Sequence, residues 1–195
     1  GVIILTAIFT SIFGGVNTLW DRRYGFMNKA LTSPISRSSI ALGKMSAISL
    51  ISALQASLIV GIALAIGVTF PNPFMIAPIM AIVILFSMGF SGISVIVAAT
   101  AKSQETFWGV INFLGMPLFM LSPALFPLEL LPDWLATIAK LNPVTYTVLL
   151  VREMMTGVSE GGISALLSIG VIAVFVLVMV GLASYVFTRE VNKPF

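Results

Sequence analysis

The chain has 195 residues, of which 58% are apolar and only 9% charged, with a formal charge of +3 and neither Cys nor His. Soluble domains run at about 45–50% apolar and about 25% charged residues, so this composition excludes a water-soluble globule and predicts a membrane protein. The missing Cys and His exclude disulfides, thiolate or imidazole metal sites and an imidazole base, and the small, scattered charge argues against a nucleic-acid partner.

A helical membrane crossing needs about 20 predominantly apolar residues. Five runs without Asp, Glu, Lys or Arg qualify: 2–19, 45–69, 74–100, 107–126 and 163–187. Irregular backbone in lipid would leave peptide groups unsatisfied, so each run is expected to be helical. The predicted fold class is all-α: one polytopic transmembrane domain over residues 1–195. In the first run Thr6, Thr10 and Asn17 share a helix face, with Gly14 beside it.

Residues 20–44 follow, and they hold five of the ten basic residues: Arg22, Arg23, Lys29, Arg37 and Lys44. Trp20, Tyr24, Met27 and Leu31 recur at helical spacing, and Arg22, Arg23 and Lys29 lie off their face. Pro34 disfavours a helical Ser33. The pattern predicts an amphipathic helix on the membrane surface, closed by a polar turn.

The second and third runs carry stripes of small residues, Ser46, Ser49, Ala53 and Ser57, then Ser87, Ser91, Ser94 and Ala98, which predict close helix packing. In the fourth, Asn112, Met116, Phe119 and Pro123 share a face, and Pro117, Pro123 and Pro127 predict a bent helix. Residues 127–162 are too broken by Pro, Asp, Lys and Asn to span. There Asp133 is positioned to cap one short helix and Asn142, followed by Pro143, a second that ends near Gly157. About 14 residues give about 21 Å, too short to cross, so a hairpin dipping into the membrane is expected.

Alternating the segments between two sides puts Arg22, Arg23, Lys29, Arg37, Lys44, Lys102, Arg189 and Lys193 on one side and only Lys140 and Arg152 on the other. The positive-inside bias makes the first side cytoplasmic. Residue 1 then lies outside, which predicts a further span ahead of it and six in the full protein.

The stretch 21–44, "DRRYGFMNKALTSPISRSSIALGK", resembles the cytoplasmic loop of type 2 ABC exporter permeases, the drug, lipid and polysaccharide group. That loop reads approximately acidic-Arg-Arg-x-Gly, a hydrophobic pair, Ser/Thr-Pro-x-Ser-Arg and Gly-Lys. Residues 121–157 are similar to the family's outer segment, with Phe-Pro-Leu, Leu-Pro-x-Trp, Leu-Asn-Pro-x-Thr-Tyr and a later Arg. Two departures stand out: Ser122-Pro123 where the family often has Ser-Gly, and Leu149 where an Asp often precedes the Arg, so the role of that acid–Arg pair does not carry over.

The resemblance implies a multi-pass permease of a bacterial or archaeal plasma membrane, paired with a second permease as homo- or heterodimer. No phosphate-binding loop of the G-x-x-x-x-G-K-[ST] type occurs in this chain, so ATP and Mg would be bound by a partner ATPase subunit and the chain itself would be no enzyme. Arg22, Arg23, Tyr24, Met27, Lys29, Ser33, Pro34 and Arg37 are the expected ATPase contact. Thr6, Thr10, Asn17, Asn112, Met116 and Phe119 are the expected translocation path. Asp133, Asn142, Pro143, Tyr146 and Arg152 are the expected outer gate, and membrane lipid is the remaining partner. Other classes compatible with the residues are a membrane anchor that recruits a cytosolic partner, and a channel or secondary transporter. An absence of ionisable residues inside the spans disfavours proton coupling.

Overall fold

The computed structural model describes residues 1–24, 35–68, 72–125, 128–157 and 162–190. Among them there is no strand, and the described residues form eight α-helices with two short 3₁₀ turns. Helices α1 (Val2–Gly14) and α2 (Val16–Arg23) form one 22-residue apolar segment interrupted at Gly15. α3 (Arg37–Ala65), α4 (Ile76–Thr100) and α8 (Ala165–Glu190) are single long helices. Between the last two lie α5 (Gln104–Met120), α6 (Asp133–Ala139) and α7 (Pro143–Thr156). The fold is an all-α polytopic membrane protein, and among the described residues four helices are long and apolar enough to cross, or five if the bent α6–α7 pair counts as one span.

Helix α4 is the hub. Of its most apolar window 61% is buried, against 17% for α8, and it packs against α1, α3 and α8. Small residues permit these approaches. A Cβ added at Gly15 would lie 2.6 Å from the Ser94 carbonyl oxygen, and one at Gly92 would lie 3.0 Å from the Met179 carbonyl oxygen. Serines fill the same seam: Ser94 Oγ donates to the Ser11 carbonyl at 2.8 Å, and Ser87 Oγ to Ser52 Oγ at 2.8 Å. The expected α4 stripe, Ser87, Ser91, Ser94 and Ala98, is wholly buried. The α3 stripe needs correction. Ser49 and Ala53 are buried, but Ser46 and Ser57 face outward and Met45, Ile48, Ser52 and Ala56 complete the buried face. Ser57 bonds its own helix at the Ala53 carbonyl, which removes its need for a neighbour.

The run 107–126 also differs from expectation. Its helix begins earlier, where Ser103 Oγ accepts from the Thr106 N–H at 3.1 Å, and ends at Met120. Pro117 removes one intrahelical donor, and Pro123 disfavours helix at Ser122. Seventeen residues give about 26 Å, short of a hydrocarbon core of about 30 Å. α5 runs antiparallel to α1, with Trp108 against Phe13, Phe119 against Phe9, and the Ala124 carbonyl beside Gly1.

These pairings define two ends. The end holding Arg22, Arg23, Lys44, Lys102 and Arg189 is termed the basic end; Gly1, Ala124 and the α6–α7 pair lie at the far end. Expectations for Met27, Leu31, Lys29, Ser33, Pro34 and Pro127 fall outside the described residues, as does most of the segment expected to be an amphipathic helix.

Candidate functional site

Three groups of residues were singled out by sequence, and the structure places each in a different part of the bundle. The first begins where α2 reaches the basic end. Asp21 and Arg22 turn inward, and Arg23 and Tyr24 outward. Asp21 pairs with Lys44 of α3 in a half-buried ion pair. Arg22 Nη1 donates to the Ala98 carbonyl at 3.1 Å and to that of Ala99. A helix leaves its last carbonyls without intrahelical donors, and a cation there also complements the helix dipole. Arg22 therefore finishes α4 from a neighbouring helix, a placement different from the partner-facing one expected of it. Arg23 lines an open cleft of about 400 Å³ together with Leu19, Trp20, Lys102, Ser103 and Glu105. Tyr24 is 78% exposed. Arg37 is the first residue of α3, behind an N-cap in which Ser36 Oγ accepts from the Ser39 N–H.

The second group divides. Asn112, Met116 and Phe119 of α5 meet Ile8, Phe9, Ile12 and Phe13 of α1 around a cleft of about 150 Å³. Its lining is aromatic, with Phe9 5.1 Å from Phe119 and 5.7 Å from Phe13 between ring centroids. The polar face of α1 points elsewhere. Thr10 donates to Gln55 Oε1 of α3, Thr6 to its own helix at the Val2 carbonyl, and Asn17 is exposed. Asn112 likewise bonds its own helix at the Trp108 carbonyl. Phe9, Phe13 and Gln55 thus belong to this region although the sequence reading omitted them. The i, i+4 pair Phe9–Phe13 was the available signal.

The third group forms the far-end bracket. α6 and α7 meet at a bend of 86°. Asn142 caps α7, accepting from the Val144 N–H at 3.0 Å, Pro143 occupies the first helical position, and Gly157 closes the helix with φ 73°. Asp133 is not a cap: Pro132 precedes α6, and Asp133 sits in its first turn, where its charge still suits the dipole. Tyr146 Oη donates to the Lys140 carbonyl and Thr145 Oγ1 to that of Ala139, which locks the bend. Two further bonds tie the bracket to the broken end of α5: Asn142 Nδ2 to the Leu118 carbonyl at 2.7 Å and Arg152 Nη2 to the Pro123 carbonyl at 3.1 Å. Both acceptors lie where Pro117 and Pro123 interrupt the regular ladder. Leu149, in the position of the family's acid, is buried.

Among the described residues no cluster of acidic side chains is arranged to hold a metal ion.

The model of one family, described as ABC-2 type transporter, matches residues 1–156. The chain is 31% identical over 149 residues to the putative transport permease ycf38 of Cyanophora paradoxa, which covers 76% of the chain and 51% of the relative. It is 30% identical over 160 residues to the ycf38 permease of Pyropia yezoensis, covering 82% and 55%. The probable multidrug ABC transporter permease YbhR of Escherichia coli K12 is 25% identical over 149 residues, covering 74% of the chain and 39% of that protein. The chain spans about half the length of the ycf38 permeases it matches.

Proposed function

We propose that this chain, which belongs to the ABC-2 type transporter family, is the membrane permease subunit of an ATP-driven exporter. It would move a drug-like, lipid or glycan substrate out of the cytoplasm, energised by a separate nucleotide-binding subunit and paired with a second permease. The observation that carries this reading is the division of α2 at the basic end, where residues 21 and 22 are fastened to two spans while Arg23 and Tyr24 are presented outward. A surface both rigidly mounted and exposed is what a cytosolic motor needs.

In this reading the basic end is cytoplasmic, by the positive-inside bias. Arg23, Tyr24 and Arg37, with Met27, Lys29, Ser33 and Pro34 between them, receive the ATPase. The aromatic cleft of Phe9, Phe13, Asn112, Met116 and Phe119 borders the substrate path, and its apolar lining suits an amphipathic or lipid-like molecule. The bracket bearing Asp133, Asn142, Pro143, Tyr146 and Arg152 dips into the outer leaflet and gates the path. The membrane is a bacterial or archaeal plasma membrane.

The test is reconstitution of the full-length permease with a candidate ATPase subunit in liposomes. ATP hydrolysis stimulated by members of a drug, lipid and glycan panel, with vectorial movement of the stimulating compound, is the expected result. A permease that co-purifies with no ATPase and moves substrate without ATP would overturn the proposal in favour of a secondary transporter or channel.

A further inference from the structure

We infer that Arg22 is a positioning residue that makes the α2 terminus and the hub helix α4 move as one body, so that a push on the exposed segment is delivered to the centre of the bundle. The inference rests on the proposed coupling to an ATPase and assigns a role within it that docking does not cover.

Four facts carry it. Arg22 reaches across from α2 to two consecutive carbonyls, Ala98 and Ala99, at the end of α4. The other acceptor of that turn, Val97, is already taken by the Ala101 N–H and the Thr100 hydroxyl, so Arg22 supplies what the helix lacks. α4 is the most buried of the long helices and touches α1, α3 and α8. Finally Glu190, the last residue of α8, exerts an electrostatic pull on Arg22, which brings a third span to the same joint.

Arginine suits such a joint because its guanidinium presents several N–H donors in a fixed planar fork. A lysine keeps the charge but replaces the fork with a point donor on a flexible stem. The neighbouring Asp21–Lys44 pair fastens α3 to the same turn. Displacement of residues 23 and 24 is therefore resisted by α3 and α4 together.

The experiment uses the full-length permease with its ATPase and compares wild type with Arg22→Lys, Arg22→Ala and Arg23→Ala. Spin labels are placed at Trp20→Cys, exposed in the last turn of α2 and outside the proposed docking residues, and at the exposed Thr100→Cys in this Cys-free chain. In the wild type the 20–100 distance should stay constant between nucleotide-free and nucleotide-bound states. Arg22→Lys should retain the ATPase and its hydrolysis, let the 20–100 distance change with nucleotide, and lower transport per ATP about tenfold, the scale of one lost charge-assisted hydrogen bond. Arg23→Ala should weaken ATPase binding and leave the distance fixed. A wild-type distance that shifts with nucleotide, or normal transport by Arg22→Lys, overturns the inference. So does loss of the ATPase from Arg22→Lys with the distance unchanged, which would make Arg22 a docking residue. If Arg22→Ala fails to insert, Arg22→Lys still decides. Failure of the wild type to bind any ATPase would overturn the exporter reading, and this inference with it.

Discussion

The two ends of the bundle are fastened by different chemistry. At the basic end the ties involve charged side chains and run between helices distant in sequence: Asp21 to Lys44, and Arg22 to the last carbonyls of α4. At the far end most ties are neutral and local. Asn142, Thr145 and Tyr146 bond backbone within a few residues, while the Asn142–Leu118 and Arg152–Pro123 bonds reach farther. Local neutral ties hold a bend in shape whatever the bundle does around it. Long-range ionic ties make separate spans move together. The first arrangement suits a rigid element that swings, the second an element that transmits force.

The comparison is broken most severely at the seam joining the two ends. Gly15→Val places a Cβ within 2.6 Å of the Ser94 Cβ and carbonyl oxygen, so α1 and α4 must separate and the Ser94–Ser11 bond is lost with them. Overpacking and the lost buried hydrogen bond together cost about 4 kcal/mol. The expected outcome is a large fall in melting temperature in detergent, while Gly43→Ala, with open space around it, should melt at or above the wild-type temperature. A stable Gly15→Val would show that the seam is not the close contact described.

Asn142→Ala is the next largest. It removes the α7 cap and leaves the Leu118 carbonyl unpaired, about 3 kcal/mol together. The effect should be confined to the far end: faster hydrogen exchange over 133–157, with no change at residues 16–23 or 95–101. Spread of the exchange to the basic end would mean that the two ends are one cooperative unit.

The helices and the segregation of basic residues were legible because length without charge and the excess of Lys and Arg are properties of composition. The Asn142–Pro143 start was legible too, since a cap is a local device. Orientation was not. In lipid an exposed face is as apolar as a buried one, so nothing in the α3 sequence shows that Leu54 and Leu58 point outward while Met45 and Ile48 point in. The same ambiguity separated Thr10 from Asn112: sharing a polar character did not place them in one cleft. Arg22 and Arg23 are adjacent and chemically alike, and only the position of the α4 end distinguishes them.

A smaller effect sharpens the ionic side of the contrast. A double-mutant cycle of Asp21→Asn and Lys44→Met should give a coupling of about 1 kcal/mol, at the upper end for partly exposed pairs. It should shrink when salt is raised from 0.05 to about 1 M, as the Debye length falls to about 3 Å. A coupling indifferent to salt would mark the pair as a packing contact.

The smallest expected effect is a titration at the basic end. Glu105 lies ahead of the apolar run 107–126, fully exposed in the first turn of α5. The backbone N–H of Glu105, then the Ser103 hydroxyl, hold its carboxyl below the usual carboxylate range, and Arg23 adds a weaker pull. A carboxylate with a depressed folded-state pKa stabilises the fold above its unfolded value, about 4.3 for Glu. That contribution is lost as pH falls through the folded pKa, because protonation then proceeds in both states. Wild type should therefore melt slightly above Glu105→Gln at pH 6 to 7, and the gap should close as pH falls below about 4. Asn142→Ala, which removes no titrating group, should keep its full deficit over the same range. If instead the Glu105→Gln gap persisted unchanged into acid, the carboxylate charge would have no part in starting α5. The Ser103 cap and the Arg23 cleft would then owe nothing to ionisation, and the ionic character of this end would rest on the Asp21–Lys44 pair and on Arg22 with Glu190.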